Sequence, residues 1–258
     1  MPPLDQFIMF GDSLTQGSYD QSRGFALAAE LQAAYIRRMD IINRGFSGYN
    51  TDHGMTCIEN VIPEPSQANV SFLTIWFGAN DCSKDPHWNQ WVPIDRFKSN
   101  LISIINHSLV KAQSPHIILF TNPPVEETVL LDINKKNGSA DEIRRAKDAK
   151  EYAEKTKEVG KEYNLPVLDV WTAFMNATGW DGHGALPGSE EAGKNETLAD
   201  LLHDEGLHLS PRGYKIVFDE LLKLMQQNWP DQKPYRMPFV HKVSWEKNMG
   251  DSFWDTTG

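Results

Sequence analysis

Five short apolar runs punctuate the chain, at residues 7–10, 40–42, 72–77, 117–120 and 167–170. Runs of this length, bounded by turn residues, fit strands buried on both faces, as in a parallel sheet. Between them the apolar positions recur at helical spacing. Residues 25–38 place Leu27, Leu31 and Ala34 on one face, and a second helix after Pro93 carries the stripe Phe97, Leu101, Ile104 and Ile105. A third is predicted to open at Ser139, with Glu142 at capping-box spacing, and to lay the thin stripe Ile143, Ala146, Ala149 and Ala153 against the outside of the sheet. The last opens at Ser210 and Pro211 and turns Val217, Leu221, Leu224 and Met225 inward. Strands alternating with helices predict the α/β class, with a five-stranded, mainly parallel central sheet.

There is no internal repeat and no linker between two compositions. Residues 176–195, rich in Gly, Asn and acidic side chains, read as a long surface loop. Residues 1–230 are therefore expected to form one domain and 231–258 a tail. That tail, with Pro234, Pro238, Tyr235, Phe239, Trp245 and Trp254, either wraps over the domain or packs against a second copy in a homodimer.

Composition narrows the function. The chain has 258 residues and a formal net charge of -10, with no basic stripe that would neutralise phosphates, so nucleic acid is not an expected partner. No apolar run reaches the roughly 18 residues of a membrane span. The N-terminus lacks a basic region before an apolar one, and Cys57 and Cys82 are too few for a disulfide framework. A cytoplasmic protein is the expectation, and the sequons at Asn69, Asn176 and Asn195 then read as chance matches.

Ligands in open parallel sheets bind beyond the carboxyl ends of the strands. The first strand runs into FGDSLTQG, where Gly11 permits a tight turn and Ser13 stands at the start of a helix, either as a nucleophile or as an N-cap serine. The phosphate-cradling glycine patterns and the GxSxG elbow are absent. The second strand leads into NRGFSGYNT, where Gly45 and Gly48 let the backbone approach a ligand; a plain turn is the alternative. The third runs into GAND, and the Asn80 amide can donate to a developing oxyanion as no carboxylate could. Asp81 is read as fixing that loop. In DEGLHLSPRGY, His208 precedes the last helix with acids just upstream, an arrangement suited to a base held by a carboxylate. A metal reading of His203 with His208 lacks a third ligand, and Gly206 interrupts any helical pairing. Trp76, Trp88, Trp91 and Trp171 are candidates to line a pocket, with packing as the ordinary role for such rings.

The order of these blocks resembles the SGNH (GDSL-like) hydrolases, with Ser13, Gly48, Asn80 and His208 at the four naming positions. More narrowly, FGDS, MDI, RGFSGY, FGAND and GYKIVFDELLK resemble the fungal isoamyl acetate-hydrolysing esterases. The resemblance spans about residues 7 to 225. It implies a three-layer α/β/α sandwich of flavodoxin-like type, no metal or organic cofactor, and small acyl esters as substrates. The implied roles are Ser13 as nucleophile, His208 as base, and an oxyanion hole of Ser13, Gly48 and Asn80. Lysophospholipases, thioesterases and sugar deacetylases share the same blocks, and a non-catalytic binding protein of this fold is a further alternative. The chain departs from the family at one place. Where Asp usually stands three residues before the histidine, this sequence has Glu205, with Asp204 one residue further upstream. Glu205 is expected to take the orienting role because the backbone path fixes the spacing; an inserted residue would hand it to Asp204.

Overall fold

The computed structural model describes residues 4–86, 88–136 and 144–232, together with Met237 and Val240. Its centre is a sheet of five parallel strands, β1 (Asp5–Gly11), β2 (Met39–Gly45), β3 (Val70–Trp76), β4 (His116–Phe120) and β5 (Val167–Leu168), in the order β2-β1-β3-β4-β5. Strand β1 buries Phe7, Ile8, Met9 and Phe10 completely, in register with Ile41–Arg44 on one side and Phe72–Ile75 on the other. A strand covered on both faces has no polar alternation, and its continuous apolar run is the signature that made it legible.

In chain order the helices are α1 (Ser13–Gln16), α2 (Leu27–Ala34), α3 (Thr51–Val61), α4 (Ile94–Ile105), α5 (Ser108–Gln113), α6 (Glu127–Lys136), α7 (Ala146–Glu162), α8 (Val170–Ala177), α9 (Glu196–Leu201) and α10 (Pro211–Asn228). Helices α2, α8, α9 and α10 pack together on one face of the sheet, while α3, α4, α5 and α7 cover the other. This is a three-layer α/β/α sandwich. The stripe of α4 buries Phe97, Leu101, Ile104 and Ile105, and Phe97 meets Tyr152 of α7 at 5.0 Å between ring centroids. Ser210 caps α10 through its hydroxyl and Pro211 occupies the first turn. The predicted face of α10 is buried at Val217, Leu221 and Met225, with Leu224 half-buried.

Some boundaries differ from the sequence reading. Strand β2 extends through Asn43, Arg44 and Gly45 because it is an edge strand with partly exposed side chains, which no apolar run would mark. Strand β5 stops at Leu168, because Asp169 caps α8 by accepting from the Thr172 N–H. Helix α7 starts at Ala146, whose N–H donates to the buried carboxylate of Glu127 at 2.6 Å. The capping box expected at Ser139 and Glu142 lies outside the described residues. Tyr235, Phe239, Trp245 and Trp254 lie outside them too. Two described positions of the tail touch the turn between α2 and β2: the Arg38 Nε donates to the Met237 carbonyl at 2.7 Å and the Val240 N–H to the Arg37 carbonyl at 3.2 Å. No helix among the described residues is long and apolar enough to cross a membrane.

Candidate active site

The turn out of β1 is closely packed. A Cβ on Gly11 would lie 2.2 Å from Thr15 Oγ1 and 2.4 Å from the Trp76 carbonyl oxygen, so only glycine fits. Asp12 is fully buried and caps α1 by accepting from the Leu14 N–H at 2.9 Å. Burial pushes its carboxyl up to about 7, and Asp81 adds to the shift against the Leu14 bond and the charges of His208 and Arg144. Ser13 follows as the first residue of α1. Its own N–H belongs to the unpaired first turn and has no acceptor among the described residues.

His208 is presented by a tight loop between α9 and α10. Leu202 and Leu209 form an antiparallel bridge across it, the His203 N–H donates to the His208 carbonyl at 2.6 Å, and the Gly206 N–H donates to the His203 carbonyl at 2.8 Å. Gly206 has φ +75°, a left-handed conformation that favours glycine and lets the chain reverse over so few residues. The Gly206 carbonyl in turn accepts from the N–H of buried Glu126 at 2.9 Å.

Within this loop Glu205 folds back on His208. Its Oε1 accepts from the His208 backbone N–H at 2.9 Å and faces the ring Nδ1 at 2.5 Å. On the other side of the ring, Nε2 lies 2.9 Å from Ser13 Oγ. A carboxylate on Nδ1 fixes the proton there and leaves Nε2 free to accept. Partial burial works to raise the Glu205 pKa, but the bonds from the His208 ring and backbone outweigh it and hold the group at about 2. Asp204 is exposed to solvent, and its N–H faces His203 Nδ1.

Ser13, Gly48, Asn80, Glu205 and His208 all border one open cavity of about 690 Å³. Gly48 has φ +81°, a conformation costly for any other residue, and its N–H has no acceptor among the described residues. The Gly48 carbonyl accepts from Gln90 Nε2 at 2.8 Å. Asn80 is almost wholly buried; its Nδ2 donates to the Tyr49 carbonyl at 2.8 Å and its Oδ1 accepts from the Arg144 guanidinium at 2.8 Å. Asp81 ties the loop together, one oxygen accepting from the Thr51 N–H and hydroxyl and the other from the Gly78 N–H. A smaller cavity of about 240 Å³, lined by Arg23, His203 and Tyr214, also borders Ser13 and His208.

Of the four tryptophans proposed to line a pocket, only Trp88 borders the larger cavity, and it is 61% exposed. Trp76 and Trp171 are buried, Trp76 donating to the Thr121 carbonyl, and Trp91 is exposed. His203 sits with its Nδ1 2.8 Å from the Arg23 guanidinium, and no group of three His, Cys, Asp or Glu side chains among the described residues could hold a metal ion. Sequence reasoning did not single out Arg144 or Gln90. Arg144 lies in a run of charged residues that reads as a solvated helix face, and only the folded chain brings it to the cavity.

The profile of the GDSL-like Lipase/Acylhydrolase family matches residues 9–216, a span that runs from β1 into α10. The chain belongs to this family. It is 31% identical over 247 residues to an isoamyl acetate-hydrolyzing esterase 1 homolog of Mus musculus, covering 92% of this chain and 87% of that protein. A GDSL esterase/lipase of Arabidopsis thaliana is 28% identical over 247 residues, covering 90% and 91%. Among solved structures, an acetyl xylan esterase superposes with TM-score 0.64 at 17% identity, over 84% of this chain and 98% of that one. The lipase/acylhydrolase from Enterococcus faecalis gives 0.58 at 22% identity, over 87% and 96%, and both share the fold. This GDSL-type chain is a serine-dependent carboxylic ester hydrolase.

Proposed function

We propose that this esterase hydrolyses small acyl esters, of the acetate type that isoamyl acetate represents, through an acyl-enzyme formed on Ser13. The observation that carries the reading is the chain of contacts Glu205–His208–Ser13, open to a cavity that also borders Gly48 and Asn80. Ser13 Oγ attacks the ester carbonyl carbon while His208 Nε2 takes its proton. The carbonyl oxygen, now negative, accepts from the N–H groups of Ser13 and Gly48 and from Asn80 Nδ2, which has a second N–H beyond the one given to Tyr49. Collapse of the tetrahedral intermediate expels the alcohol, which takes its proton from His208. Water then attacks the acyl-enzyme, with His208 again as base, and releases the acid and free Ser13. Glu205 keeps the proton on Nδ1 and stabilises the imidazolium formed at each step.

The acyl preference is supported by the names of the relatives at about 30% identity. In this reading residues 1–230 carry the reaction and 231–258 are a tail, of which Met237 contacts Arg38 and Val240 contacts Arg37, and the free thiols of Cys57 and Cys82 suit a reducing cytoplasm. A panel of acetate, butyrate and octanoate esters with isoamyl acetate, assayed on the wild type and Ser13→Ala, tests the proposal. Highest kcat/KM on the acetates and a loss of turnover on the order of 10⁴-fold or more in Ser13→Ala are expected. A maximum at octanoate overturns the small-acyl reading, and an active Ser13→Ala overturns the acyl-enzyme.

A further inference from the structure

An oxyanion hole built on a carboxamide has a weakness. The oxygen and nitrogen ends of Asn80 have nearly the same shape, and turned over, the group would aim an acceptor at the oxyanion and repel it. Something has to hold the amide in the donating sense. Its Oδ1 lies 2.8 Å from Arg144 Nη2, and a guanidinium only donates, so the oxygen is pinned there and Nδ2 faces Tyr49 and the cavity. The same nitrogen, Nη2, lies 2.8 Å from Gln90 Oε1. Gln90 is thereby held in the matching sense, with Nε2 donating to the Gly48 carbonyl at 2.8 Å. That bond holds the Gly48 backbone, left-handed at φ +81°, and with it the N–H offered to the cavity. Arg144 is itself fixed by Nε, which donates to the Ala79 carbonyl at 2.8 Å, one residue before Asn80. One side chain thus spans the loop it orients, and Asn50 Nδ2 anchors Gln90 from behind through its carbonyl at 2.8 Å.

We propose that Arg144 is a positioning residue that sets the donor sense of the oxyanion hole, acting on Asn80 directly and on Gly48 through Gln90. The inference rests on the reaction proposed above. Arg144 acts through its neighbours and leaves the oxyanion to the three donors. Its contribution is made in the transition state, where the donors face a negative charge that the carbonyl oxygen of bound substrate does not carry.

The test is a double-mutant cycle in kcat on an acetate ester, with wild type, Arg144→Met, Asn80→Ala and the double variant, each checked for folding by circular dichroism and thermal melting. Arg144→Met is expected to lower kcat about 10- to 100-fold with KM changed less than about threefold, a part of what losing a donor outright costs. In the Asn80→Ala background the same change should cost less than about fivefold, because its main target is already gone. Arg144→Lys, which keeps the charge without the fork, should fall between Met and wild type. Equal losses in both backgrounds, or a loss carried by KM, would overturn the role. If Arg144→Met does not fold, the cycle run with Arg144→Lys decides by the same criterion. Failure of the reaction itself would look different: Ser13→Ala would then retain turnover whatever Arg144 does.

Discussion

Replacing Glu205 by Gln removes one charge and almost no volume, and the structure fixes what should follow. A glutamine in this place has two ways to face His208. Turned with its NH2 toward the ring it would force the proton from Nδ1 to Nε2 and disable the base, an inversion that costs about 10⁴-fold where it occurs in serine proteases. Here a second donor prevents that. The oxygen that faces Nδ1 also accepts from the His208 backbone N–H at 2.9 Å, and that N–H can be satisfied only by an oxygen. The substituted amide would therefore keep its carbonyl toward the ring, and the tautomer would survive. What is lost is the attraction between carboxylate and imidazolium. For unit charges ~4 Å apart this is about 4 kcal/mol at an effective dielectric of 20. The two side chains are 36% and 41% exposed, so solvent screening reduces it to roughly 2 kcal/mol. At about 1.36 kcal/mol per tenfold, kcat/KM should fall about 30-fold. Asp204→Asn, on an exposed side chain, should stay within about threefold of wild type. Initial rates on one acetate ester at fixed pH, with both variants side by side, measure this. A loss near 10⁴ in Glu205→Gln would mean the amide turns over and the argument from the backbone N–H is wrong. A collapse confined to Asp204→Asn would give the orienting role to the other acid.

Ser13→Ala should lower kcat by on the order of 10⁴ to 10⁶ while the melting temperature changes little, since the cap of α1 belongs to Asp12; more than a tenth of wild-type turnover would end its role as nucleophile. Asn80→Ala should cost about 10² to 10³ in kcat with KM nearly constant, and a loss appearing in KM instead would make it a ground-state contact. Asp12 binds its proton more tightly in the fold, at about 7 against the ordinary 3.8, so it favours the folded state fully below the lower value and loses that contribution as pH rises through the higher one. The unfolding free energy of Asp12→Asn relative to wild type, followed by thermal melting, should therefore climb between about pH 4 and about pH 8, by a margin on the order of a few kcal/mol at most. A constant gap across that range would show that Asp12 is ionised in the fold.

The sheet was legible because its inner strands are covered on both faces and read as unbroken apolar runs; β1 and β3 carry that signal most clearly. Helix α3 was not, for its apolar positions are sparse around Gly54 and its capping box uses Asn50 with His53 in place of the usual acid or amide. The site divides in the same way. Ser13, Gly48, Asn80 and His208 stand at strand ends or just before a helix, places that a sequence marks by changes of period. Arg144 and Gln90 act through contacts made across 42 to 65 positions of chain, and nothing local distinguishes either from a surface residue. Buried Glu126 and Glu127 escaped notice for the same reason: each satisfies N–H groups of distant segments, Glu126 at Asn195 and Glu127 at Ala146 and Glu190.

The hydrogen bond between His208 and Ser13 joins positions 195 apart, and beside it the Tyr214 hydroxyl reaches the Leu14 carbonyl over 200. Such closures come late, since the chain between must be gathered before they form. During synthesis the nucleophile emerges 195 positions ahead of its base, so the nascent chain is chemically silent until the loop before α10 docks. Under mild denaturant the order reverses. Any partial opening that lifts α10 and its preceding loop from α1 breaks the pair while the sheet persists, and esterase turnover should vanish before the far-ultraviolet signal of the fold does. Activity in this protein is thus a gauge of whether α1 and the loop before α10 have met.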